Sequence, residues 1–327
     1  MVKVTLTSGR CFSSEPGQSL LEAAETSGLT LPYSCRSGRC STCKSKVSGA
    51  TDVLLDEAGL SADEKADGWV LACARAAKSD LTLDIQDFSG LKLPEAKMIP
   101  VKIDALDVLS RDVIGVRLRL PPGRTMDFLA GQYADVIGPG GIRRSYSFAK
   151  SPQADALEFH IRRVDGGAMS AYWFYEAKVN DLLRLYGPKG TFVLRHSPTT
   201  DVVFLATGTG IAPVKSMTEW IAAQPEHMRP RSIQIFWGGR TEEDLYWDPS
   251  GLMDRISYEP VLSRASIDWH GARGHVQDTF LTINTELDEM QVYACGSSKM
   301  IHSARLALIS QGLAPDAFFS DAFVASN

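Results

Sequence analysis

The sequence predicts a multidomain protein: a small α+β domain, then an antiparallel β-barrel, then an α/β domain with a parallel sheet. Three observations predict it. Cys35, Cys40, Cys43 and Cys73 are gathered in the first quarter of the chain. From Ile99 onward apolar and polar residues alternate through one short run after another. From about residue 198 continuous apolar runs replace that alternation and are interleaved with helical stretches, the pattern of a parallel sheet. At 327 residues the chain is too long for one ordinary core. The expected boundaries are 1–90, a linker at 91–98, 99–197 and 198–327.

In the first domain Val2, Val4 and Leu6 alternate, Thr7-Ser8-Gly9-Arg10 turns, and Cys11-Phe12 starts a second strand of a hairpin. Ser19 is placed to N-cap a short amphipathic helix over Leu20–Glu25. Lys44–Gly49 and Asp80–Ile85 read as returning strands. The Gly, Pro and charged residues of Phe88–Lys97 mark the linker. The barrel strands are expected around Val101–Leu106, Val116–Leu120, Gly131–Val136 and Leu157–Arg162. In the last domain Asp201–Ala206, Ser232–Gly238 and Glu289–Gly296 read as buried strands. Lys299–Gln311 reads as a helix stopped by Gly312.

The cysteines carry the most specific chemistry. Cys35, Cys40 and Cys43 follow the spacing C-x4-C-x2-C, and Cys73 completes the plant-type set for a [2Fe-2S] cluster. Gly38 and the small residues Ser37, Ser41 and Thr42 let the loop turn its N–H groups inward toward sulfur. The competing reading is zinc, which more often takes two separated C-x2-C pairs.

Two stretches of the barrel suit a flavin nucleotide. In Arg143–Phe148, Arg144 offers a guanidinium to a phosphate, Tyr146 an aromatic face to a ring and Ser147 a hydroxyl to a ring nitrogen. The competing reading of that stretch is an exposed strand with a packed tyrosine. Gly166-Gly167 then leads into a helix, whose free N–H groups cradle a pyrophosphate, and Ser170 adds a hydroxyl.

In the last domain Gly208-Thr209-Gly210-Ile211-Ala212-Pro213 stands between a buried strand and a helix. That is the context for a dinucleotide turn, although the motif ends in proline instead of glycine. Pro213 suits a first helical turn because its missing N–H would be unpaired there. Arg240 and Thr241 follow the second strand and favour a 2′-phosphate, whereas Glu242, Glu243 and Asp244 oppose it; the balance predicts NADH over NADPH. Cys295 lies at the carboxyl end of a core strand and has two compatible readings, a buried small residue or a lining of the nicotinamide pocket.

Other function classes find no support. A net charge of −5 gives no basic surface for nucleic acid, and no apolar stretch approaches the ~20 residues of a membrane span. The histidines at 160, 196, 227, 270, 275 and 302 are scattered, and no G-x-S-x-G elbow is present. Four cysteines assigned to a cluster fit a reducing cytoplasm better than a disulfide framework.

Taken in order, Cys35/Cys40/Cys43/Cys73, Arg144-x-Tyr146-Ser147, Gly166-Gly167-x-x-Ser170, Gly208-x-Gly210-x-x-Pro213 and Cys295-Gly296 resemble the iron–sulfur flavoprotein reductases, ferredoxin–NADP reductase with a β-grasp ferredoxin fused in front. Ser298, where many relatives carry proline, departs from the pattern. The resemblance implies FAD, with Arg144 and Ser170 at its phosphates, Tyr146 and Ser147 at the isoalloxazine, and Ser147 as donor to N5. It implies a nicotinamide nucleotide at Gly208, Gly210 and Pro213, with Cys295 on the nicotinamide side. It further implies electron flow from NADH to FAD to the cluster to a protein acceptor.

The stretches Leu205–Met217, Tyr293–Ser297 and Phe319–Asn327 are most similar to the CDP-6-deoxy-Δ3,4-glucoseen reductases of 3,6-dideoxysugar biosynthesis. Their acceptor is an iron–sulfur, pyridoxamine-dependent dehydrase. Reductase components of aromatic-ring and other oxygenases share every cofactor motif and stand as the alternative. A cluster-binding interaction protein without activity is the remaining one. Arg36, Arg39, Lys44 and Lys46 around the cluster loop predict a basic docking face.

Overall fold

The computed structural model describes residues 1–324; Ala325, Ser326 and Asn327 of the tail motif lie outside the described residues. The chain forms two compact units. One comprises Met1–Leu93 with Gly190–Phe192 and a segment beginning at Asp321; the other comprises Pro94–Lys189 and Val193–Ser320.

The first unit is a five-stranded sheet in the order Cys11–Ser14, Val2–Leu6, Leu81–Asp84, Lys44–Ser48, Trp69–Leu71. Its central pair, Val2–Leu6 and Leu81–Asp84, is parallel and is flanked by antiparallel partners. The helix Leu20–Thr26 packs Leu20, Leu21, Ala23 and Ala24 into the core. Its start is fixed as the sequence predicts. The Glu22 N–H donates to Ser19 Oγ at 3.2 Å, and the Ser19 N–H donates to Glu22 Oε2 at 3.2 Å, a reciprocal cap. A second, two-stranded sheet pairs Thr51–Val53 with Arg75–Ala77. These strands, the helix Ala62–Ala66 and the strand Trp69–Leu71 are too short for a periodic signal, and the sequence reading passes over them.

In the second unit six antiparallel strands run in the order Arg143–Ser147, Tyr133–Ile137, Leu182–Lys189, Lys97–Ser110, Val113–Arg119, Leu157–Arg162. An antiparallel bridge between Phe148 and Phe159 links the two ends of this sheet, giving the barrel that the alternation predicts. Leu182–Lys189 is the strand absent from the sequence reading, because its outward Leu182 breaks the alternation.

The α/β part has the strand order Ala272–Arg273, Ile256–Leu262, Ser232–Gly239, Asp201–Thr207, Met290–Ser297, Phe318–Phe323. The pairs within the first five strands are parallel. The helix Ile211–Ala222 follows the glycine turn, and Ser298–Ser310 follows the strand that holds Cys295. No described helix is long and apolar enough to cross a membrane.

Barrel and α/β part are joined by a polar cluster, built on the buried Lys215 and His160, that no motif announces. Lys215, on the helix Ile211–Ala222, donates to the Ala149 carbonyl at 3.0 Å and to Glu158 Oε1 at 3.1 Å, and pairs with Glu219 at 2.8 Å. His160 Nε2 lies 3.1 Å from the same Glu158 oxygen, and Tyr246 Oη 3.4 Å from His160 Nδ1. Burial alone would raise the Glu158 carboxyl, but the His160 bond and the Lys215 ammonium outweigh it and hold the pKa at about 2. A carboxylate depressed in the fold stabilises it above its unfolded pKa and loses that contribution as pH falls through the folded one. The melting temperature of the wild type should therefore exceed that of Glu158→Gln at pH 6. The gap should close between about pH 4.5 and pH 2. A gap that stays constant over this range would show that the carboxylate charge contributes nothing.

Candidate functional site

The cluster loop is shaped by backbone geometry before any metal chemistry. Arg36, Gly38 and Ser41 all have left-handed φ, at 54°, 75° and 62°. Gly38 is also crowded: a Cβ there would run into the Asp56 carbonyl oxygen. Gly59 N–H donates to the Gly38 carbonyl at 2.8 Å, so residues 56–59 close over the loop. They are held in turn by the buried Glu57, which accepts from the Leu71 N–H at 2.7 Å and from Arg75 Nη2 at 2.6 Å.

Within this frame the four thiols fall into two pairs, each within hydrogen-bonding reach: Cys35 with Cys40, and Cys43 with Cys73. Two irons need two protein thiolates each, so the pairing fits a [2Fe-2S] group. Among the described residues no three His, Cys, Asp or Glu side chains converge on a single-ion position. The Cys35 N–H donates to Cys40 Sγ and the Ser37 N–H to Cys35 Sγ, both at 3.4 Å, which is the inward N–H pattern the loop composition predicts. The basic face expected around the loop is largely spent locally. Arg36 pairs with Glu25 and lies 3.9 Å over the Tyr33 ring, Lys44 pairs with Glu64 at 2.6 Å, and Lys46 donates to the Asp67 carbonyl at 2.8 Å. Exposed apolar Val53, Leu54 and Leu55 stand in the same domain, Leu54 bonded to the carbonyl of Ala74 beside Cys73.

On the barrel, Arg144 and Tyr146 share one face of the strand Arg143–Ser147, and Ser147 is buried on the other. The strand is pinned through Asp135, which accepts from Arg143 Nε at 2.6 Å, Ser145 Oγ at 2.5 Å and Lys189 Nζ at 2.9 Å. Burial would raise the Asp135 carboxyl, but these partners hold it below the ordinary range. Tyr146 is fixed by the Trp173 indole, whose N–H donates to the phenol at 3.1 Å. Burial pushes its pKa up to about 12, so it presents a neutral ring.

The glycine turn differs from expectation in one respect. After Gly166, with φ 72°, the helix Ala168–Ala171 lasts four residues and passes into the π-helical turn Tyr172–Glu176. Bulky Tyr172, Trp173 and Phe174 pack toward the barrel core, which favours the wider turn over a regular helix. Ser170 Oγ accepts the Val164 N–H at 2.9 Å and keeps its own proton free to donate.

In the α/β part the turn Gly208–Gly210 is one 3-10 turn, and Pro213 falls in the first turn of the helix it precedes, as predicted. Trp237 Nε1 donates to the Gly208 carbonyl at 3.0 Å, and Arg162 Nη1 lies 3.3 Å from the position of a Cβ on Gly208. Neither Trp237 nor Arg162 carries a motif, so sequence reasoning missed both. Cys295 is wholly buried, opposite Ala206 in the neighbouring strand, and its carbonyl abuts Gly210. Of the loop acids, Asp244 accepts the N–H groups of Arg240 and Thr241, at 2.7 and 3.1 Å. Glu242 accepts from Ser266 at 2.9 Å, and the Arg240 and Glu243 side chains are exposed.

A thiol set at iron–sulfur cluster spacing, a barrel strand that carries an arginine and an aromatic ring on one face, and a glycine turn on a parallel sheet together point to a flavin-dependent electron-transfer protein with its own cluster domain. Comparison with known proteins agrees domain by domain. The 2Fe-2S iron-sulfur cluster binding domain matches residues 4–78, the oxidoreductase FAD-binding domain 100–194, and the oxidoreductase NAD-binding domain 204–306. The chain is 39% identical to the CDP-6-deoxy-L-threo-D-glycero-4-hexulose-3-dehydrase reductase of Yersinia pestis, over 98% of this chain and 97% of that one. It is 34% identical to the xylene/toluene monooxygenase electron transfer component XylA of Pseudomonas putida, over 95% of this chain and 90% of that one. Among solved structures it is similar to the Amycolatopsis cytochrome P450 reductase GcoB, with TM-score 0.73, 29% identity and 99% of both chains covered. The chain therefore belongs to the ferredoxin–NADP reductase-like iron–sulfur flavoprotein reductases. It is an NAD(P)H-dependent oxidoreductase that uses FAD and a [2Fe-2S] cluster to transfer electrons.

Proposed function

We propose that this reductase serves the dehydrase step of CDP-3,6-dideoxysugar formation, in the cytoplasm, using NADH. The observation that carries the reading is the 39% identity, over nearly the whole of both chains, to a reductase named for a CDP-hexulose dehydrase. Electron-transfer components of oxygenases match over a similar length at 34% and 32%, which keeps an oxygenase as the second reading.

In this reading residues 1–90 carry the cluster on Cys35, Cys40, Cys43 and Cys73. Residues 99–197 bind FAD, with Arg144 and Ser170 at the phosphates, Gly166 and Gly167 beside them, and Tyr146 and Ser147 at the ring. Residues 198–327 bind the nicotinamide nucleotide through Gly208, Gly210 and Pro213, with Arg240 toward the ribose and Cys295 on the nicotinamide side. The bound groups supply hydride acceptance and one-electron storage. The chain positions them: Trp173 holds the Tyr146 ring, Trp237 holds the Gly208 carbonyl, and Ser147 offers a hydroxyl as donor.

The test is reconstitution. Purified reductase and NADH are combined with a pyridoxamine-dependent CDP-sugar dehydrase and its substrate, and separately with a ring-hydroxylating oxygenase. Formation of the 3-deoxy sugar product supports the proposal. Turnover with the oxygenase alone refutes it.

The nucleotide is read by kcat/KM at matched NADH and NADPH concentrations. Asp244 is committed to the backbone of Arg240 and Thr241, and Glu243 stays exposed and negative beside them. A carboxylate within a few ångströms of a 2′-phosphate costs about 1–3 kcal/mol, so NADH should be preferred by roughly 10- to 100-fold. Equal or better use of NADPH would show that Arg240 governs the pocket.

A further inference from the structure

The approach to the cluster loop is fastened by two residues from far along the chain, both belonging to the cluster unit. Tyr33 is held on both sides of its peptide. Its N–H donates to Thr191 Oγ1 at 2.9 Å, and its carbonyl accepts from the Thr191 hydroxyl at 3.1 Å and N–H at 3.2 Å. The next residue, Ser34, donates from Oγ to Asp321 Oδ1 at 2.6 Å. Both side chains are buried, with 7% of Ser34 and 3% of Asp321 exposed. A carboxyl group is rarely buried without a structural or chemical return.

We infer that Asp321 is a positioning residue for the cluster, acting through Ser34 on Cys35. The inference rests on Cys35 being a cluster ligand. Ser34 directly precedes Cys35, whose N–H donates to Cys40 Sγ and whose sulfur accepts from the Ser37 N–H. The Cys35 N–H is part of the 34–35 peptide, so its bond to Cys40 depends directly on the orientation of that peptide. With Thr191 fixing residue 33 and Asp321 fixing the side chain of residue 34, the Cys35 end of the loop keeps one orientation as the cluster changes charge. Partners that orient metal ligands from outside the coordination shell are commonly worth 10- to 100-fold in metal affinity.

The experiment uses the full-length holoenzyme and compares Ser34→Ala, Asp321→Ala, the double variant, Asp321→Asn and Cys35→Ser. The readouts are the EPR g-values of the dithionite-reduced cluster and the rate of cluster loss to a chelator, with flavin content measured as the control for folding. Ser34→Ala and Asp321→Ala should shift the g-values alike and each speed cluster loss by about 10-fold. The double variant should go no further than either single one, since both remove the same bond. Asp321→Asn should restore wild-type behaviour, because its amide oxygen still accepts from Ser34.

Wild-type g-values and loss rate in Asp321→Ala would overturn the proposal. So would effects that add in the double variant, or an Asp321→Asn that behaves like the alanine. Should Asp321→Ala lose its flavin, Ser34→Ala, which removes a single oxygen, decides alone. A Cys35→Ser that keeps a wild-type cluster would refute the ligand assignment itself, a failure distinct from the others.

Discussion

Cys40→Ser should yield a flavoprotein that still oxidises NADH with ferricyanide but no longer passes electrons to a protein acceptor. Cys40 is buried and sits in the Cys35 pair, where its sulfur also accepts the Cys35 N–H. A hydroxyl is a hard, poorly ionised replacement for a thiolate on iron. Removing a ligand should cost more than removing an outer partner, so the rate to the protein acceptor should fall by at least about 100-fold. The barrel and the α/β part pack as a unit of their own, so flavin content and dye reduction should stay near wild type. Dye reduction and acceptor reduction are assayed on the same preparation, with iron and flavin quantified. Full acceptor reduction by a variant proven free of cluster would refute the order NADH, FAD, cluster, partner.

Gly210→Ala should produce the complementary defect, with flavin and cluster both present and reducible by dithionite but barely reducible by NADH. A Cβ at this position would press into the backbone carbonyl of Cys295. Backbone cannot swing aside as a side chain can, so the turn must lift from the neighbouring strand. Overpacking of this kind costs about 1–3 kcal/mol of stability. The larger effect is on geometry, because a displacement of about 1 Å at a positioning element can cost 100-fold in rate. Anaerobic stopped-flow reduction by NADH should therefore slow by about 100-fold, with the dithionite-reduced spectrum unchanged. Gly312→Ala is the contrast: its Cβ would meet open space, so only the left-handed backbone is penalised, by about 1 kcal/mol. If Gly210→Ala is reduced by NADH as fast as Gly312→Ala, the close approach of turn and strand has no functional weight.

Much of this was legible because the relevant signals are local. The cysteine spacing, the Ser19 cap, the glycine turn with Pro213 and the helix stopped at Gly312 each depend on residues close in sequence. Strand alternation exposed the barrel for the same reason. Illegible were elements whose reason for existing is a distant partner. Thr51–Val53 and Arg75–Ala77 are three residues each and exist as a pair. Leu182–Lys189 becomes a strand by bonding to Lys97–Ser110 and Tyr133–Ile137 on its two edges. The π-helical turn after Ser170 follows from aromatic side chains seeking the barrel core, where the glycines alone suggested a regular helix.

The sequence by itself pointed to the class of chemistry, an iron–sulfur flavoprotein reductase, through four cysteines at cluster spacing and the ordered set of short motifs that resembles that family. That class needs only residue type, spacing and the order of the motifs, because each motif is a short segment of the chain. Tertiary structure alone decided how the groups are supported. It paired the basic residues of the cluster loop with Glu25 and Glu64, in place of the open basic face that composition suggested. It brought Lys215, Glu158 and His160 together between barrel and helix, and Asp321 to Ser34 across almost the whole chain. A buried polar group must find its partner wherever the fold places one, and that placement follows from packing the entire chain, which no local pattern records.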